Sequence, residues 1–327
     1  MWGVNMTVLE KSKPLVSVLI NNYNYGRFLN DAIDSALNQT YSNIEVIVVD
    51  DGSTDNSREV IASYGDKIVS IFQENRGQGS TFNSGWKASN GDILCFLDSD
   101  DTFYPEKVEE CVNLILSKQA NSPLIIVSHN MDVVDQSGNS LGYMKTSRYK
   151  KYGGYSNFYQ FACRYKFVPF ATSPTSGNVL TRELAERIFP IPEVRTSADD
   201  FVVRLGVVLG NLYYLEKNLG QYRVHGKNHW HNNVPKAHPK EIWLLQEEFL
   251  NMKLKENNMK PVVSFFESIE AGTYYKINGS SFDYLKQGLY VFFSCPDLRT
   301  LQFFQKVVQV TLKNLIKKVF GIKRPSL

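Results

Sequence analysis

Polar side chains that could do chemistry gather at four places in the first hundred residues. These are Asn21-Asn22-Tyr23-Asn24-Tyr25, Asp50-Asp51-Gly52-Ser53, Glu74-Asn75-Arg76-Gly77-Gln78-Gly79 and Asp98-Ser99-Asp100-Asp101. Crowded carboxylates raise one another's proton affinity unless a cation neutralises them. Asp98-x-Asp100, with Asp101 adjacent, offers oxygens for a two-point grip on Mg²⁺ or Mn²⁺, ions that keep positions open for substrate phosphates. An Asp-rich turn alone is also what a solvated loop looks like, so the neighbouring elements have to decide.

Each cluster closes a short apolar run. Leu15–Ile20, Ile44–Val49, Ile68–Phe72 and Ile93–Leu97 read as strands, and residues 27–37, 55–63 and 79–89 between them carry helical spacing. Near-continuous apolar strands alternating with helices predict a parallel sheet covered on both faces. In such sheets ligands bind beyond the carboxyl ends of the strands, where all four clusters lie. Further on, 105–118 reads as a helix and 124–127 as a strand, followed by a turn at 135–138 and an irregular stretch over 142–165. Regular patterns return at 177–180, 182–188 and 199–209, and from 236 onward the pattern is helical throughout.

The order VSVLINNYN, VVDDGSTDNS, NRGQGSTFNSG, GDILCFLDSDD closely resembles the N-terminal half of family-2 glycosyltransferases of the GT-A fold. SGNVLTR, SADDFVVRLG and YRVHGKNHW extend the resemblance over about residues 14–230. It implies an α/β, Rossmann-like, mostly parallel sheet flanked by helices, with a C-terminal helical extension. The division expected is a catalytic domain over 1–235 and a helical region over 236–327.

The resemblance also implies roles. Asn22, Tyr23 and Asn24 line a nucleotide pocket, and Asp51 accepts from a uracil imide, favouring UDP over a purine nucleotide. Asn75, Gly77 and Ser99 join the nucleotide side. Asp98 lies by the ribose and Asp100 towards a Mn²⁺ or Mg²⁺ ion bridging the diphosphate, with Asp101 in support and His225 as a ligand or phosphate donor. In Ala198-Asp199-Asp200, Asp200 is aligned with the base and Asp199 with the glutamate that usually precedes it. Adjacent acids there also suit a helix N-terminus. A base opposite the leaving group has to come from another part of the chain than the metal ligands, as both aspartates do. Phe82 stands where many members have arginine. The expected reaction is inverting transfer of a sugar from a nucleoside diphosphate to a glycan or lipid-linked glycan in cell-surface polysaccharide synthesis. The stretch 142–175 is expected on the acceptor side.

Composition narrows the alternatives. With 43% apolar and 13% aromatic residues the chain of 327 residues has a large core to bury. No run of 18 apolar residues occurs, no signal-peptide pattern is expected in the first fourteen residues, and four scattered cysteines fit reduced thiols of a cytoplasmic protein. Seven Lys or Arg and no acid lie in 299–327, leaving 29 basic and 33 acidic residues before them, a net of −4. A nucleic-acid binder would carry its positive charge on the body. The tail instead reads as a basic amphipathic helix, with apolar residues at 301, 304, 308, 312, 315, 316 and 319. It is suited to a peripheral contact with an anionic membrane or to packing on preceding helices. A nucleotidyltransferase lacks support, because no Gly-rich phosphate loop follows the first strand. A non-catalytic nucleotide-sugar-binding or membrane-surface protein of the same fold is disfavoured by the presence of Asp51, Asp98, Asp100, Asp200 and His225. Three further histidines, 229, 231 and 238, are a weak candidate for a separate metal site.

Overall fold

A computed structural model describes residues 13–144, 156–226, 228, 240–265, 267–268, 271 and 280–319. The chain divides into two compact units, one of Met1–Asn157 with Phe170–Asn233 and one of Phe158–Pro169 with Val234–Leu327. Residues 158–169, which the sequence reading keeps with the N-terminal part, thus pack in the second unit.

The first unit begins with β1 (Val16–Asn22), α1 (Gly26–Leu37), β2 (Ile44–Asp50), α2 (Ser57–Ser63), β3 (Val69–Phe72), α3 (Gln78–Ala88) and β4 (Ile93–Asp98). β1 lies parallel between β2 and β4, in a register that pairs Asn22 with Asp50 and Asn21 with Asp98. The apolar runs therefore end abreast, and the polar residues after them share one edge. Phe28, Leu29, Ala32, Ile33 and Ala36 recur at helical spacing and are the buried face of α1.

Next come β5 (Thr102–Phe103), α4 (Lys107–Lys118), β6 (Ile125–Asp135) and β7 (Ser140–Met144), and, in the second unit, α5 (Tyr159–Tyr165). The first unit resumes with β8 (Asn178–Thr181), α6 (Arg182–Ile188), α7 (Ala198–Leu209) and β9 (Asn211–Val224). Among the described residues the sheet runs β3-β2-β1-β4-β8-β6-β9-β5, with β7 beside β6. β8 is antiparallel to both β4 and β6. This is the mostly parallel, helix-flanked α/β sheet that the sequence predicts. Two differences stand out. β6 continues to Asp135 beyond the strand read over 124–127, and β9 has no counterpart in the sequence reading. Both carry polar residues that mask period-two alternation, and their pairing shifts register around Asn130.

The second unit adds α8 (Lys240–Glu256), α9 (Ser281–Ser294) and α10 (Leu298–Val319), and no strand among its described residues. Tyr165 donates to Asp297 Oδ2 at 2.5 Å and Arg164 pairs with the same oxygen at 3.1 Å, fixing α5 to the start of α10. Among the described residues no helix is long and apolar enough to cross a membrane.

Candidate active site

The ends of β1 and β2 are tied by side chains. Asn22 donates to Asp50 Oδ1 at 2.8 Å and to Ser53 Oγ at 3.2 Å, while its own Oδ1 is buried without a hydrogen-bond partner. Asn24 adopts φ 59°, a left-handed conformation that Asn tolerates, and accepts the Thr54 N–H at 2.7 Å. Asn22 and Asn24 thus hold the loop, and Tyr23 between them projects into solvent.

Asp51 is almost fully occupied. Oδ1 accepts from Gln73 Nε2 at 2.7 Å and from Arg76 N–H at 3.0 Å, and Oδ2 accepts from Gly77 N–H at 2.7 Å. A carboxylate has about four lone-pair directions, so about one remains. Gly77 has φ 96°, and a Cβ there would lie 2.5 Å from Arg195 Cα. Only glycine allows the close approach of residues 74–77 to 194–195. Asn75 is half-buried beside Gly52 in the same loop.

After β4 the acids diverge in role. Asp98 keeps Oδ1 buried with no hydrogen-bond partner. Burial, then the neighbouring Asp100, pushes its pKa up, against hydrogen bonding from Asn21 and Thr175. Asp100 Oδ2 lies 2.8 Å from His225 Nε2, within hydrogen-bond distance. The imidazole packs edge-on against Tyr25 at 5.3 Å and against Phe28 at 5.1 Å. Burial, followed by Asp100 and Asp98, lifts the Tyr25 phenol to about 12. Ser99 is buried in the turn. Asp101 is buried and satisfied by the protein itself, accepting from Ser176 Oγ at 2.6 Å and Arg223 N–H at 3.0 Å. It serves as the tie between this turn, β9 and the 3₁₀ turn at Thr175–Gly177. Arg223 also reaches the Asp100 carbonyl at 3.0 Å and Asp31 at 2.8 Å.

Asp199 and Asp200 open α7 but face different partners. Asp200 is buried, with Oδ1 3.4 Å from Arg204 Nε one turn along the helix. Asp199 answers to the acid cluster. Burial, then Asp200, then Asp98 raises its pKa, and Thr175, which acts on Asp98 too, opposes the rise. The segment before α7 is docked on α3. Gly79 N–H donates to Val194 O at 2.9 Å, Gln78 Oε1 accepts from Ala198 N–H at 3.0 Å, and the Asn83 amide exchanges two bonds with the Ile191 backbone at 2.8 and 2.9 Å. Phe82, in the place of arginine, is buried and stacks on Phe96 at 5.2 Å.

Asp98, Asp100, His225 and Asp199 are therefore collected at one edge of the sheet. Thr175, Ser176, Arg223 and Gln78 carry no signal in the sequence, because side chains that hold other side chains leave no characteristic spacing. Among the described residues no group of three His, Cys, Asp or Glu is arranged to hold a metal. Even so, an unpartnered buried oxygen on Asp98, beside Asp100, suits a hard cation with substrate oxygens completing its shell; Asp101 is taken up by its own hydrogen bonds. His229, His231 and His238, the weak candidate for a separate metal site, and residues 145–155 of the expected acceptor stretch lie outside the described residues.

The comparisons with known proteins agree with this architecture. Residues 17–177 match the model of Glycosyl transferase family 2. An uncharacterized glycosyltransferase of Nostoc sp., alr2836, is 39% identical over 219 residues, 65% of this chain and 66% of its own length. Another of Rickettsia typhi, RT0329, is 45% identical over 139 residues, 42% of this chain and 43% of its own. The chain thus spans under two thirds of these relatives' length. Among solved structures, S. aureus TarS 1-349 in complex with UDP-GlcNAc superposes with a TM-score of 0.58 at 16% identity, covering 92% of this chain and 89% of that one. That likeness shows the fold, the GT-A fold, and the matched residues 17–177 with their glycosyltransferase relatives place this part of the chain in glycosyltransferase family 2.

Proposed function

We propose that the chain transfers a sugar, with inversion, from a UDP-sugar to a hydroxyl of a glycan or lipid-linked glycan, as in the building of cell-surface polysaccharide. The observation that carries this reading is that Asp98, which keeps a buried unpartnered oxygen, stands near enough to Asp199 for its charge to raise the Asp199 pKa, although a hundred residues separate them in sequence. One serves the donor side and the other the acceptor side of a single cleft.

Asp199, with its raised proton affinity, is the base in this reading; Asp200 is the positioning residue that pairs with Arg204. The acceptor hydroxyl gives its proton to Asp199 as its oxygen bonds to the anomeric carbon. The bond from that carbon to the diphosphate oxygen breaks on the opposite face, and the nucleoside diphosphate leaves with the electron pair. Asp98 and Asp100, with His225 behind Asp100, would hold Mn²⁺ or Mg²⁺, which when bound neutralises charge on the departing diphosphate. The remaining lone pair of Asp51 suits a uracil imide N–H, and the UDP-GlcNAc bound to TarS is in keeping with a uridine nucleotide.

Titration calorimetry with UDP, with and without Mn²⁺, tests the donor half. Metal-dependent binding lost in Asp100→Asn and kept in Asp199→Asn is expected. Donor hydrolysis should then fall at least ~100-fold in Asp199→Asn, the usual scale for a general base. Binding indifferent to metal and to Asp100 would remove the cation from the mechanism. Hydrolysis that fails in Asp200→Asn and survives in Asp199→Asn would return the base to Asp200.

A further inference from the structure

The helical hairpin of α9 and α10 is apolar on more sides than its own packing uses. The two helices meet through Gly288, where an added Cβ would lie 2.9 Å from Val307, and through Phe292 stacked on Phe304 at 5.5 Å. Tyr284, Gln287 and Val291 complete the buried side of α9. Phe282, Lys286, Leu289 and Phe293 follow one another by four, three and four residues, which places them on one helix face. That face is open. Phe282 is 72% exposed and Phe293 74%, with Leu289 and Tyr290 exposed as well. Isolated apolar side chains on a surface need no explanation, whereas an aligned apolar stripe on a helix already apolar on its packed side does.

α10 repeats the pattern with charge added. Thr300, Val307 and Thr311 are buried, while Leu301, Leu312 and Leu315 are exposed. Part of the apolar stripe expected to pack or to seek a membrane is thus outside the core. Residues 280–319 hold six Lys or Arg against two Asp. Both acids are engaged internally, Asp283 in the Ser280 capping box and Asp297 with Tyr165, Arg164 and the Thr300 N–H. Lys306 and Lys313, on a helix without a single acid, have no such neutralisation.

We infer that the α9–α10 hairpin is a docking surface for an anionic lipid bilayer, with Phe282, Leu289 and Phe293 entering the interface and the lysines of α10 meeting lipid headgroups. Charge favours lipid over a second copy of the chain, because like copies would bring two uncompensated basic helices together, whereas anionic headgroups neutralise them. This surface extends the sequence expectation for 299–327 to a helix that lies before it. It does not depend on the proposed donor chemistry.

Co-sedimentation of the full chain with phosphatidylcholine–phosphatidylglycerol vesicles, against phosphatidylcholine alone, is the test. Binding to the anionic vesicles at least ~10-fold tighter, and weakened by salt, is expected. The double variant Phe282→Ser/Phe293→Ser should lose ~10-fold of it or more while keeping its melting temperature. Lys306→Glu/Lys313→Glu should abolish the preference for anionic lipid. Equal binding to both vesicle types, no binding, or wild-type binding by both double variants would overturn the inference. So would a wild-type dimer in sedimentation velocity that Phe282→Ser/Phe293→Ser converts to monomer. UDP titration on the same samples should be unchanged, which separates this outcome from any failure of the donor site.

Discussion

Oε1 of Gln78 accepts the N–H of Ala198 at 3.0 Å, a single bond between the first turn of α3 and the residue preceding Asp199. The N–H groups of Gln78 and Gly79 meanwhile donate to the carbonyls of Arg195 and Val194 at 3.2 and 2.9 Å. The start of α3 is thereby turned into a seat for the segment that leads into Asp199. This gives the glycines and amides of residues 75–85 a structural purpose.

Gln78→Met keeps the bulk of the side chain and removes the acceptor. Misplacing a reacting group by an ångström costs on the order of 10²-fold in rate. A fall in kcat of about 10- to 100-fold is expected, with the donor KM within about threefold, and Gln78→Glu, which retains the acceptor, should recover most of it. Steady-state UDP release from a donor that the wild type hydrolyses is the measurement. A loss that Glu does not recover, or one shared by UDP affinity, would make Gln78 a residue of general stability.

His225 has the corresponding position beside Asp100. Its Nε2 holds Asp100, and its ring is fixed between Tyr25 and Phe28. Residues that orient a metal-binding group are worth about 10- to 100-fold in metal affinity. His225→Ala should weaken Mn²⁺-supported UDP binding by that factor, and EDTA should reduce the wild type to the level of the variant. Calorimetry resolves both. An unchanged Mn²⁺ requirement in His225→Ala would confine His225 to packing.

His129 offers a pH test away from the site. It is fully buried in β6, with Nδ1 2.8 Å from the Asn130 carbonyl oxygen and Nε2 unpartnered. Burial first, then the charge of Lys107, lowers its pKa from 6.5 to about 3. A group whose folded pKa lies below the unfolded one contributes fully above the unfolded value, and that contribution is lost as pH falls towards the folded one. Between pH 7.5 and 5 the loss is about 2 kcal/mol, at about 1.4 kcal/mol per unit below 6.5. Urea unfolding of His129→Phe should therefore show a pH 7.5-to-5 drop smaller than wild type by about that amount. Equal drops would mean that His129 titrates normally.

Much of the polar edge is legible in the sequence, because four apolar runs each stop at a polar cluster and parallel pairing sets those stops abreast. The partition between Asp199 and Asp200 is not. Neighbours on a helix point about 100° apart, and which one faces the acid cluster depends on how α7 is held, a matter decided by Gln78 and Asn83 over a hundred residues away. β9 escapes for a local reason: Glu216-Lys217-Asn218 interrupt its apolar alternation where its pairing with β6 shifts. α9 misleads in the opposite sense. It is legible as a helix but not in which side it buries, and only exposure distinguishes Tyr284 from Phe282 and Phe293.

The 3₁₀ turn that carries Thr175 and Ser176 is where the two halves of the site can be separated. Ser176 Oγ donates to Asp101 Oδ2 at 2.6 Å and accepts the Asp98 N–H at 3.0 Å, so one hydroxyl braces both flanks of the acidic turn. Ser176→Ala leaves a buried carboxyl oxygen and a backbone N–H without these partners, and an unmade buried hydrogen bond costs about 1–3 kcal/mol. A destabilisation of that size is expected in urea unfolding, together with weaker Mn²⁺-dependent UDP binding as Asp98 and Asp100 lose their brace. Asp199 is held from α3 and retains that support, so donor hydrolysis at saturating UDP-sugar and metal should fall much less than binding does. A variant whose binding is intact and whose saturated rate collapses would show that the turn acts on the base side, and would shift the role of Ser176 from the acidic turn to Asp199.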